Sequence, residues 1–358
     1  MAWGYNASIT TDHTQCGTAD TSNFEYSVRG VYDGTDGKPD LRTVANGGNV
    51  QNANGYDICF YSDSDLTTQL SHEMKSYNPV TGEIEAWVRI PTLHYGSDEV
   101  FYIAYGDSSI STSQENITDI WDQHHVFAYH MNDVTTSTLG DSTSNGFTGA
   151  KGSANNPAEA TGIIGKGQDF SSDYVSISDS GDKLDVTRLT IMFWMTIDSQ
   201  GAYQTSVRRN GPSGNIFFIQ WTSGGTYFRG GVRTTGEVIV EDDTTPLSTA
   251  TPYLLGMTYD GSNIRLWING QNVKSSGSVS GDIGSSTSDF IIGAHYPDGY
   301  YIDGIVDEFR FMGSAMTASY MLAAYNNQKP SSTFYTMGSE TAVGTSTYTS
   351  PLPAFRNP

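Results

Sequence analysis

The sequence predicts an all-β protein, folded as two tandem antiparallel β-sandwich domains. Three observations point there. Of 358 residues, 39 are Gly and 22 Tyr, while Lys and Arg total only 18. That composition suits strands and turns and is poor in long charged helix formers. Short alternating apolar runs recur between turn residues, which is the pattern of a sandwich. The chain is also long for a single hydrophobic core.

The elements can be justified in order. Phe24-Glu-Tyr-Ser-Val28, Tyr56-Asp-Ile-Cys-Phe-Tyr61, Ile84-Glu-Ala-Trp-Val-Arg-Ile90 and Val100-Phe-Tyr-Ile-Ala-Tyr105 alternate as strands, with a turn at Asn78-Pro-Val-Thr-Gly82. They make residues 1–115 the first unit. Residues 116–125 read as a linker that ends by packing Trp121 on one of the domains. The second unit, 126–340, opens with Val126-Phe-Ala-Tyr-His-Met-Asn-Asp133 and holds the apolar strand Leu189–Ile197. Then Tyr253-Leu-Leu-Gly-Met-Thr-Tyr-Asp-Gly-Ser-Asn-Ile-Arg-Leu-Trp-Ile-Asn-Gly270 reads as strand, turn, strand, tight turn. Asn269-Gly270 is a hairpin signal because both central residues need positive φ. One helix is expected, from Thr317 to Asn327. Trp194 and Trp267 are expected in the core of the second sandwich. Residues 341–358 form an extended tail rich in Ser, Thr and Pro, with Leu352 and Phe355 as its apolar anchors.

Charge and cysteine content narrow the function. The formal net charge of −21 opposes nucleic acid and anionic membranes. It also offers oxygen ligands to hard cations. No apolar run is long enough to span a membrane. Met1-Ala-Trp-Gly-Tyr-Asn6 has neither a basic nor an apolar signal region, so no signal peptide is expected. Cys16 and Cys59 are too few for a disulfide framework and are expected as free, buried thiols.

Two resemblances organise the chain. Segment 253–273 followed by Ile302-Asp-Gly-Ile-Val-Asp-Glu-Phe-Arg-Phe311 resembles the C-terminal half of a LamG-type, concanavalin A-like domain. The first unit resembles an uncharacterised β-sandwich family often found directly before LamG-type domains. It does so through Gly55-Tyr-Asp-Ile-Cys-Phe60, Gly82-Glu-Ile-Glu-Ala-Trp-Val-Arg-Ile-Pro91 and Phe101-Tyr-Ile-Ala-Tyr-Gly-Asp107. The first resemblance implies a jelly roll that binds glycans or proteins. It also implies a structural Ca2+ held by Asp307, with Asp141 as a second candidate ligand.

Catalytic signals are weak. Glycoside hydrolysis needs two carboxylates about 5–10 Å apart, and the Glu-x-Asp-x-x-Glu pattern of some enzymes with this fold is missing. Glu83 and Glu85 alternate as exposed strand residues. Glu237 and Glu241-Asp-Asp243 read as a solvated edge or loop, and His124-His125 as a packed or surface pair. Sugar recognition needs exposed aromatic faces beside polar groups. Trp221, Tyr227, Tyr296, Asp298 and Tyr300 are the candidates. The expected protein is therefore non-enzymatic. It resembles a phage virion surface component, of the head decoration or the tail, reaching the extracellular space after lysis. Its partners would be capsid or tail scaffold proteins, copies of itself and cell-surface glycans. A secreted bacterial adhesin, and a glycoside hydrolase or lyase with an unrecognised site, are the alternatives.

Overall fold

The computed structural model describes residues 2–344 except 180, 202, 223–224 and 296–298. Strand makes up 46% and helix 7%, so the all-β class holds. Every strand pair named below is antiparallel.

In the first unit, Tyr5–Thr11, Val100–Tyr105, Ile58–Tyr61 and Gln69–Leu70 hydrogen-bond in that order. Thr21–Val31, Glu83–Leu93 and His72–Asn78 form a second, three-stranded sheet. Alternation sends Phe24, Tyr26 and Val28 inward against Ile9, Phe60 and Ile103. Tyr26 meets Phe101 edge to face at 5.1 Å.

The second unit stacks a nine-stranded sheet on an eight-stranded one. Between them lies a core that includes Phe127, Ile191, Phe193, Phe217, Leu266, Phe290 and Phe309. Its hairpins follow their turn residues. Asp260 Oδ1 accepts from the amides of Ser262 (2.8 Å) and Asn263 (2.7 Å). Asn269 and Gly270 take φ of 52° and 74°, as the tight turn requires.

Two expectations are corrected here. Trp194 and Trp267 do not fill the second sandwich. They sit with Met192, Leu254 and Met312 on the other face of its eight-stranded sheet, against the helix Ala318–Gln328 and the first unit. Both faces of that sheet are apolar because both are covered. The boundary at 340 does not mark a physical division either. Tyr335–Met337 and Thr341–Ala342 both pair with Tyr5–Thr11, so the chain returns to its first sheet. The expected linker holds a short helix, Ile117–Trp121, with Ile120 and Trp121 buried.

The helix begins one residue later than expected, with Thr317 as its N-cap accepting from the Tyr320 amide. Cys16 and Cys59 are free and buried, and burial, as the largest cause, pushes each thiol up to about 12. His125 is packed against Trp121 at 5.2 Å. Residues 345–358, with Leu352 and Phe355, lie outside the described residues.

Candidate glycan-binding site

One end of the nine-stranded sheet is built from Thr205–Gly211, Gly214–Trp221, Phe228–Arg233 and Glu237–Glu241. Strand alternation divides these residues between two faces. Phe217, Ile219 and Trp221 enter the core. Phe218 and Gln220 line the opposite face, where a hollow of about 280 Å3 opens. Trp221 is 1% exposed, so its ring cannot stack on a sugar. It lies one residue out of phase with the binding face.

Tyr203 and Tyr300 form the rim of the hollow. They are 37% and 47% exposed. Their rings meet edge to face at 6.0 Å, and His295 lies 5.6 Å from Tyr300. Both tyrosines hold positive φ, 64° and 56°. For bulky residues this left-handed geometry costs roughly 1–3 kcal/mol, and such strain concentrates at functional sites. Tyr300, expected as a glycan-binding residue, thus lines this hollow. Tyr203 was missed, because it precedes its strand and carries no local signal.

The floor is polar and fixed. Arg229 donates through Nη2 (2.7 Å) and Nε (3.2 Å) to Gln220 Oε1. Gln220 Nε2 in turn donates to the Tyr203 carbonyl at 2.8 Å. The Arg229 guanidinium covers the Tyr203 ring at 5.1 Å and the Phe218 ring at 5.9 Å. On the far wall Asn215 Nδ2 donates to Glu237 Oε1 at 2.8 Å. The hollow therefore offers two partly exposed tyrosine rings above an ordered amide–guanidinium–carboxylate floor. That combination stacks on sugar C–H faces and hydrogen-bonds sugar hydroxyls.

Other expected site residues fall elsewhere. Tyr227 is half-buried and outside the hollow. Tyr296 and Asp298 lie outside the described residues.

The expected calcium ligands are both held by backbone donors. Asp307 is 1% exposed. Its oxygens accept from the amides of Ile164 (2.8 Å) and Glu308 (2.7 Å). Burial, then the neighbouring Glu308, raise its pKa well above the carboxylate range and favour the neutral form. Calcium needs 6–8 oxygens, and both Asp307 oxygens are already aimed at backbone amides. Asp141 is spent likewise, on the amides of Ala128, Thr143 and Phe147 and the Thr143 hydroxyl. A bulge explains the pairing of acids on one face. The register slips between Met192 and Trp194, and Glu308 takes a φ of 48°. Asp307 and Glu308 thereby both turn away from the sandwich core, while Phe309 still enters it.

Known families match both units. Residues 169–320 match the concanavalin A-like lectin/glucanases superfamily, and residues 54–148 match a domain of unknown function, DUF2341. Among solved structures, domain 4 of AbnA, a GH43 extracellular arabinanase from Geobacillus stearothermophilus in complex with arabinotriose, is 19% identical. That match covers 56% of this chain and 97% of that one, with a TM-score of 0.45. The binding domain of Paraclostridial Mosquitocidal Protein 1 is 13% identical over 59% of this chain and 53% of that one, with a TM-score of 0.46. The binding domain of botulinum neurotoxin DC in complex with SialylT is 12% identical over 58% and 52%, with a TM-score of 0.43. The match therefore spans about half the length of each of these toxin structures. No curated protein matches the chain. The chain thus carries a DUF2341 domain match followed in tandem by a LamG-type, concanavalin A-like one.

Proposed function

We propose that this protein is a non-enzymatic, lectin-like binding protein that holds a glycan in the hollow between Tyr203 and Tyr300. One observation carries the reading. Nine large hydrophobic side chains are exposed among the described residues, and three of them, Tyr203, Ile239 and Tyr300, line this single hollow. Scattered exposed apolar residues need no explanation, but a convergent set with a fixed polar floor does.

The test is a glycan array with the full chain, repeated with Tyr300→Ala and Arg229→Ala. Loss of the array signal by about tenfold or more, with the melting temperature of each variant within a few degrees of the parent, is expected. Undiminished binding by both variants would sink the reading.

The narrower setting we propose is a phage virion surface, with the chain attached to capsid or tail proteins or to its own copies. Its support is the pairing of the two domains. Mass spectrometry of purified particles tests it. The chain should appear in fixed stoichiometry with capsid or tail proteins, and its presence only in the bacterial envelope would favour the adhesin instead.

A further inference from the structure

Glu85 departs from its expected place. Its strand neighbour Glu83 is exposed, but Glu85 is half-buried where the first unit meets the hairpin loop 161–165 of the second. A cleft of about 680 Å3 lies to one side of it, lined by Arg29, Ile163, Asn327, Ser332 and Tyr335 among others. A second hollow of about 370 Å3 lies to the other, with Lys75, Asn132, Glu159 and Lys166. Glu85, Ser76 and Gly165 line both. The loop is kept bare against the carboxylate. Gly165 holds a φ of +57°, and a Cβ there would collide with the Glu85 oxygens.

The charged groups around it are mostly committed. Arg29 donates to the Gln328 and Lys329 carbonyls. Lys166 pairs with Glu159 at 3.0 Å and Lys75 with Glu73 at 3.5 Å. Glu85 pairs through its backbone with the neighbouring strands, but among the described residues its carboxylate has no hydrogen-bond donor and no ion pair. Burial and then Glu308 disfavour its charge. A half-buried carboxylate without a donor is costly. In the free protein only solvent can serve it, and a ligand bearing two hydroxyls can replace two waters at once.

Charge selects the ligand class. Arg29, Lys75 and Lys166 balance Glu83, Glu85 and Glu159 along the two lobes, in a chain whose net charge is −21. Equal numbers of cations and carboxylates give a ligand of either sign no net advantage. A neutral polyol instead answers the one carboxylate that lacks a donor, through its hydroxyls. We propose that this inter-unit cleft is a second saccharide site, in which the Glu85 carboxylate accepts from two vicinal hydroxyls. It is separate from the tyrosine hollow and does not depend on it.

The experiment is calorimetric titration of the full chain with neutral hexasaccharides of glucose, mannose, xylose and arabinose. Wild type, Glu85→Gln, Tyr300→Ala and the double variant are compared. At least one saccharide should lose about tenfold or more in affinity with Glu85→Gln and keep it with Tyr300→Ala. Glu85→Gln should hold or raise the melting temperature, since it removes a carboxylate that lacks a donor. The proposal is overturned if no saccharide responds to Glu85→Gln, which includes the case where wild type binds none. Losses confined to Tyr300→Ala overturn it too, and leave the tyrosine hollow standing. A second readout covers a Glu85→Gln protein that fails to fold. The wild-type Glu85 carboxyl, followed by 13C NMR against pH, should titrate lower with saturating saccharide than without, and an unchanged titration overturns the proposal.

Discussion

His130 shows what a buried residue contributes between the two units. Its Nδ1 lies 2.8 Å from Glu308 Oε1, and its Nε2 3.1 Å from Glu73 Oε2. Arg310 completes the group, 3.1 Å from Glu308 and stacked over Trp87 at 4.3 Å. Burial alone would lower the His130 pKa, but Glu308 and Glu73 outweigh it and raise it. The raised value means that the folded state holds the proton more tightly than the unfolded chain. The stabilisation from this contact is therefore full below about pH 6.5 and fades as pH rises through the folded-state pKa. His125 acts in the opposite sense, because burial lowers its pKa well below normal. The clean measurement is consequently a difference. The unfolding free energy of wild type minus His130→Gln should be larger at pH 5.5 than at pH 8.5. A difference that is flat with pH would remove His130 from the account. With the Asp307 oxygens given to backbone amides, chelator should leave the melting temperature unchanged, and a fall restored by added calcium would reinstate a cation site.

At the scale of elements, the tight turn at Asn269-Gly270 makes a sharp prediction. Gly270 has a φ of 74°, and a Cβ there would lie 2.8 Å from the Leu322 Cα of the helix. Gly270→Ala should thus combine left-handed strain with a backbone clash, costing about 2 kcal/mol or more in urea unfolding. A cost near zero would mean that the helix moves freely off this hairpin. This turn was legible in sequence because its signal is two adjacent residues. The phase of the strands was harder to read. Leu189–Ile197 is apolar at nearly every position, since one face meets the sandwich core and the other meets the helix and first unit. Alternation then carries no information about which face holds Trp194. Trp221 was misplaced for the same reason, inside the run Ile216-Phe-Phe-Ile-Gln-Trp221. The hollow was only partly legible. Tyr203, Gln220, Arg229 and Tyr300 come from separate elements, and only sheet formation brings them together.

At the scale of the whole molecule, the two units share contacts that neither can keep alone. The helix Ala318–Gln328 lies between them. Asn327 accepts from the Ser27 amide at 2.7 Å and donates to the Ser27 carbonyl at 3.0 Å. It thereby pairs a side chain with a strand's backbone. The Tyr320 hydroxyl donates to the buried Glu25 at 2.7 Å, and Trp194 Nε1 donates to Gln328 at 3.0 Å. Tyr335–Met337 then closes the edge of the first sheet from the far end of the chain. The boundary between the two units is therefore not a boundary in stability. Cutting the chain near residue 125 would strip the first unit of two strands and of the helix, exposing Phe24, Tyr26 and the polar groups that Asn327 satisfies. Exposed apolar area costs about 25 cal/mol per Å2 and each unpaired buried polar group about 1–3 kcal/mol, against a domain stability of only about 5–15 kcal/mol. We expect residues 1–125 expressed alone to remain unfolded by amide exchange. The full chain should melt in one calorimetric transition whose van't Hoff and calorimetric enthalpies agree. Two resolved transitions, or a folded 1–125 fragment, would show that the junction is an ordinary contact between independent domains. In that case Asn327→Ala should leave the first unit's stability untouched, whereas shared folding requires it to destabilise both units together by about 1–3 kcal/mol.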